Sequence, residues 1–103
     1  MISPSAITRQ PEINAAISEV VRLLAPDVVH IRYVIDQDWS GDGAIFFRVL
    51  LSDDASRNRL REVTTQVVSL LSERLDFAAM GLFPYHNFRS QSEQTTLMEA
   101  AWA

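Results

Sequence analysis

The sequence predicts an α+β fold, an α-β-β-α-β-α two-layer sandwich with helices on one face of a three-stranded sheet. Three observations carry this. Two segments with apolar residues three and four apart flank a pair of segments that alternate with period two. The alternating pair is separated by seven residues, Gln37 to Gly43, that hold two glycines and several polar groups, which predicts an antiparallel hairpin. A third extended segment follows the second helix, so the sheet gains a strand without another hairpin.

Residues 1–10 carry Ser3, Pro4, Ser5 and Thr8 with little periodicity and are expected to form an N-terminal arm, leaving 11–103 as a single domain. Pro11 suits a first helical position, and Glu12 complements the positive end of the helix dipole. Ile13, Ile17, Val20 and Leu24 then mark one stripe of a helix over 11–25, which Pro26 stops. From Val28 the period becomes two. Val29, Ile31, Tyr33 and Ile35 share one face of a strand, and His30, Arg32 and Asp36 share the other.

In the second strand Ile45, Phe47, Val49 and Leu51 alternate with Phe46, Arg48 and Leu50. Because Val34, Phe46 and Leu50 fall on the outer side, that face is expected to be partly covered. Ser52, Asp53 and Asp54 supply a cap and first-turn charge for a long helix with an apolar stripe of Leu60, Val63, Val67, Leu70, Leu71 and Leu75. That helix should end between Asp76 and Gly81. Leu82 to Arg89 reads as the third strand, and Pro84 assigns it to an edge. Ser90 and Glu93 have capping-box spacing ahead of a short last helix bearing Leu97, Met98, Ala101 and Trp102.

A chain of 103 residues, 48% hydrophobic, has enough apolar side chain for one core and too little for two. It has no Cys, which excludes disulfides, thiolate zinc sites, iron–sulfur ligation and thiol nucleophiles together. No apolar run approaches the roughly 18 residues that span a bilayer, and Met1-Ile2-Ser3-Pro4 lacks a secretion pattern, so a cytoplasmic protein with no membrane partner is expected. Thirteen acidic against nine basic residues give −4, which disfavours nucleic acid as a partner without removing a local basic patch. All nine basic residues are Arg, a mark of coding bias first, although Arg also recognises carboxylate and phosphate in a bidentate way.

Three clusters are candidates for chemistry. In the hairpin loop, Asp36, Asp38, Ser40 and Asp42 with Gly41 and Gly43 imitate a calcium loop, but Phe47 stands where its bidentate Glu belongs and strands stand where helices belong. An ordinary turn is therefore expected, with no metal and no cofactor. Trp39 at its tip either folds back on the core edge or meets a partner. On the outer face, a register shifted by two residues separates Arg32 from Arg48, whereas if Ile35 pairs with Ile45, Tyr33 with Phe47 and Ile31 with Val49, Arg32 stands opposite Arg48 with His30 beside them. Like charges so placed need an acid of the same chain, a partner's acid or a bound anion.

The densest polar run is Tyr85, His86, Asn87, Arg89, Ser90 and the residues up to Gln94, at the start of the last helix. It has the side chains of an anion cradle, with His86, Asn87, Arg89 and Ser90 as its groups, but a Ser90–Glu93 capping box competes for the same free amides. There is no glycine-rich phosphate loop and no HExxH or GxSxG motif.

The stretch from about Asp38 to Ser56, and Gly81-Leu82-Phe83-Pro84-Tyr85 through Asn87-Phe88-Arg89-Ser90-Gln91-Ser92-Glu93-Gln94, resemble small bacterial α+β proteins with no assigned activity. The resemblance covers most of the chain and transfers no functional residue. The α-β-β-α-β order also resembles type II KH domains and ferredoxin-like modules, but the KH Gly-x-x-Gly loop is missing and a ferredoxin-like fold needs a first strand from residues 2–8. The functional expectation is a small non-enzymatic interaction or regulatory module that forms a homodimer or binds a protein partner through Trp39, Phe46, Leu50 and Trp102. The alternative is an Arg-based site for a phosphorylated ligand or nucleic acid, or a small enzyme built on the 85–94 run.

Overall fold

Apart from Arg48, Gly43–Leu51 is apolar at both alternating sets of positions, which suits a strand with neighbours on either side, and it is the central strand of the sheet. In the computed structural model, which describes Ala6 and residues 8–103, this is β2 of the series α1 (Gln10–Leu24), β1 (Val28–Gln37), β2 (Gly43–Leu51), α2 (Asp53–Asn58), α3 (Leu60–Arg74), α4 (Phe77–Met80), β3 (Phe83–Ser90), α5 (Gln91–Leu97) and a terminal 3-10 turn, Ala100–Trp102. The order across the sheet is β1-β2-β3. β1 runs antiparallel to β2, and β3 runs parallel to it because α2 to α4 carry the chain back across the sheet. Pro84 does lie on an edge strand, where its missing N–H costs least.

Of the registers that alternation allows, the hairpin adopts the one that pairs Ile35 with Ile45, Tyr33 with Phe47, Ile31 with Val49 and Arg32 with Arg48. A bulge between Val28 and His30 alters the strand's start. It buries Val28 and leaves Val29, expected on the inner face, exposed.

The inner face of the sheet receives α1 and α3. Ile13 and Val20 from the first and Val63, Val67 and Leu71 from the second pack with Ile45, Phe47, Val49 and Leu51 in one buried cluster. Phe47 lies within it, its ring 5.9 Å from Phe77 and 5.3 Å from His86.

Four expectations are corrected here. Residues 1–5 and 7 of the expected arm lie outside the described residues, but Ala6 and Thr8 are helical and Ala6 is fully buried in the core. A ferredoxin-like first strand there is thus not formed at those two positions. The long second helix is two helices, broken at Arg59, whose guanidinium turns back to the carboxylates of Asp27 and Asp54. A further short helix, α4, precedes Gly81, whose φ of 68° provides the left-handed stop.

Lastly, the expected stripe of Leu97, Met98 and Trp102 does not act as one surface. α5 buries no residue, Met98 ends it at a left-handed φ of 51°, and the chain then lays Trp102 on the outer sheet face, only 7% exposed. Helices α1 and α3 therefore share the inner face while the terminal turn caps part of the outer one. Among the described residues no helix is long and apolar enough to cross a membrane.

Candidate functional site

Alternation and register divide the outer face into four rows across the three strands. They are His30, Leu50 and Arg89; Arg32, Arg48 and Asn87; Val34, Phe46 and Tyr85; and Asp36, Ala44 and Phe83. The rows differ in chemistry and in cover.

The first row is closed by the terminal turn. The Trp102 carbonyl can only accept, so His30 Nε2 carries a proton and donates to it at 2.7 Å. Arg89 lies over the Trp102 ring at 4.4 Å and donates to Gln94 and Glu99 at 3.0 and 3.1 Å. Leu50 is buried beneath this cover. Leu50 and Trp102, expected to meet a partner, are therefore both buried within their own chain, and Arg89 and His30 hold Trp102 in place.

The next two rows are open. Among the described residues neither Arg32 nor Arg48 has an acid within ion-pair distance. Beside them Phe46 and Tyr85 stack at 5.1 Å with ring planes 12° apart, and Tyr85 meets Phe83, itself 61% exposed, at the same centroid distance of 5.1 Å. The Tyr85 hydroxyl donates to Asp38 at 3.0 Å, and this bond raises the Tyr85 pKa, so the phenol stays neutral.

Asp38 organises the hairpin loop. Its carboxylate accepts from the Ser40 hydroxyl at 2.6 Å, the Ser40 amide at 2.9 Å and the Asp42 amide at 3.1 Å. These bonds, led by the Ser40 hydroxyl, hold its pKa below the usual carboxylate value. The loop is a turn closed by its own side chain, and no group of three or more His, Asp or Glu placed to hold a metal occurs among the described residues. Trp39 at the tip stands 94% exposed.

The 85–94 run does not converge. A strand sends successive side chains to opposite faces, so Asn87 and Arg89 point outward while His86 and Ser90 point to the helices. Ser90 forms the capping box with Glu93. Asp53 supplies the anion of the α5 terminus, accepting from the Ser92 amide at 2.9 Å and its hydroxyl at 2.5 Å, and that hydroxyl bond lowers the Asp53 pKa. A pocket of about 260 Å³ lies against Leu51, Leu60, Phe88 and this corner, but its Arg89, Ser90 and Glu93 already hold one another's segment in place.

His86 stacks on Phe47 with ring planes 16° apart, and its buried Nε2 has no hydrogen-bond partner. Burial lowers its pKa from the ordinary 6.5. Near that value the unfolded chain binds more protons than the folded one, so the contribution of neutral His86 is complete above about pH 6.5 and is lost as pH falls towards the depressed folded value. Denaturation midpoints between about pH 7.5 and about pH 5.5 should therefore fall further for wild type than for His86→Phe, which keeps the stacking and cannot titrate. Equal slopes in the two proteins would show that His86 is not desolvated.

No family model, curated protein or solved structure matches this chain, so its own side chains are the ground for a functional reading.

Proposed function

We propose that the chain is a non-enzymatic interaction module that self-associates through the open half of its outer sheet face. The observation that carries the reading is the partly exposed apolar row of Val34, Phe46 and Tyr85 beside Arg32 and Arg48, which among the described residues have no acid within ion-pair distance, on a face whose other end the chain has capped with Trp102. A partly exposed apolar row with Arg32 and Arg48 on one side and Asp36 on the other has the layout of a small interface, with an apolar centre and a polar rim. Arg89, Ser90, Glu93 and Gln94 of the 85–94 run are engaged in a capping box, hydrogen bonds and an ion pair with Glu99, which takes them out of a shared ligand site.

Sedimentation velocity from about 10 µM to about 1 mM tests it, that range bracketing the modest affinity a small face supports. Wild type should shift from monomer towards dimer, the shift should persist at high salt, and Phe46→Asp should weaken it about tenfold or more by placing a charge in the apolar row. A wild type that stays at the 11.6 kDa monomer throughout overturns the reading.

A second reading rests on Arg32 standing directly opposite Arg48 without an acid. Two guanidinium groups so placed suit a phosphate or sulfate. If they bind one, either anion should raise the melting temperature of wild type more than that of Arg48→Ala. An equal rise in both removes this reading.

A further inference from the structure

The four rows are charged in an order that a second copy of the same face can match. Arg32 and Arg48 lie one row to one side of Val34, Phe46 and Tyr85, and Asp36 lies one row to the other. When two identical sheets stack face to face, the two-fold axis lies between them, parallel to both. If it runs along the strands, every row meets itself with β1 over β3, so Arg48 faces the partner's Arg48. If it runs across the strands, through the aromatic row, that row alone meets itself. The Arg32 row then meets the Asp36 row, and Arg32 faces the partner's Asp36 on both sides of the axis.

From this charge order, and resting on the self-association reading above, we infer that the chain pairs with a second copy about a two-fold axis crossing the strands at Val34, Phe46 and Tyr85. Rows two apart on a strand are separated by about 13 Å, and stacked sheets by about 10 Å, so an Arg reaching from one face and an Asp from the other close the gap. Beyond the Arg row, the Trp102 cap of one copy comes opposite the partner's hairpin tip, where the exposed Trp39 lies. Trp39 thereby gains a neighbour without leaving its turn. The other two-fold stacks like charges at its centre, a repulsion that this arrangement converts into two attractions.

Sedimentation equilibrium at low salt with Arg32→Glu and Asp36→Arg tests the pairing. Each variant alone places two like pairs across the axis and should raise the dimer dissociation constant about tenfold or more. Mixed in equal amounts, they should form a heterodimer in which both pairs are opposite in sign, and the dissociation constant should return to within about threefold of wild type. Both positions face outward on an edge strand, and equal melting temperatures for the variants and wild type establish that the fold is kept. Single variants that dimerise as well as wild type, or a mixture no tighter than its components, overturn the inference. In that event the self-association reading stands if Phe46→Asp still dissociates the wild-type dimer. It falls together with the inference if wild type shows no dimer at all.

Discussion

Phe47→Ala is expected to cost about 3 to 5 kcal/mol of stability, because it removes a fully buried aromatic ring and leaves a cavity that a close-packed core cannot collapse to fill. The ring is the meeting point of three elements. It lies 6.5 Å from Tyr33 on β1, 5.3 Å from His86 on β3 and 5.9 Å edge-on from Phe77 on α4, so its loss removes directed aromatic contacts as well as burial. A domain of this size has about 5 to 15 kcal/mol in all, so the variant should be close to unfolding at room temperature. The neighbouring Phe46→Ala should cost about 1 to 2 kcal/mol, since that ring is only partly buried on the outer face and loses one stacking partner. Urea midpoints of the two variants, at unchanged m-value, measure the contrast. Similar losses at the two positions would mean that the sheet is not covered on one face by helices and open on the other.

Trp102→Ala is expected to cost about 2 to 3 kcal/mol. A buried Trp elsewhere would lose about 3 to 5 kcal/mol, but the terminal turn can leave the sheet as a unit, and its docking free energy caps the loss. Its departure uncovers Leu50 and strips Arg89 of its ring and His30 of its acceptor. Backbone amides of residues 102 and 103, which donate to Glu99 and Ala100, should lose their exchange protection in Trp102→Ala while those of β2 keep theirs. Trp102→Phe, which keeps most of the burial and a ring for Arg89, should lose less than half as much. If Trp102→Ala is neutral, the turn is not held on the sheet by this side chain.

Much of the fold can be read from residue spacing. Ile35, Tyr33 and Ile31 share a face with Ile45, Phe47 and Val49 because a one-residue slip would turn every apolar side chain to the wrong face, but a two-residue slip keeps the faces, so alternation alone does not bring Arg32 to Arg48. The bulge that exchanges Val28 for Val29 leaves no such mark, since either valine suits a strand. The break at Arg59 is also hidden. It depends on an ion pair with Asp27, 32 residues earlier, and local helical periodicity says nothing of that.

The candidate site was legible in part. Period two in Tyr85 to Ser90 already separates His86 and Ser90 from Asn87 and Arg89, and that signal, applied strictly, would have dissolved the apparent cluster. Where Trp102 lands depends on Met98 adopting a left-handed conformation and on a hydrogen-bond donor from another strand, His30, which no pattern near the C-terminus encodes. The open aromatic row follows from both facts together. Phe46 is half-covered because Tyr85 arrives beside it on a parallel strand, and that strand's direction was not written in the hairpin.

The central claim is that a second copy sits on this open row, and half-isotope-labelled protein at about 1 mM tests it directly, because isotope-filtered NOEs then arise only between copies. The account predicts intermolecular contacts of the Val34 methyls with the partner's Val34 and Phe46 and of the Phe46 ring with the partner's Phe46, and none to Leu97, Met98 or the helices α1 and α3. Intermolecular contacts confined to the helices or to α5, or none at all at that concentration, would contradict it.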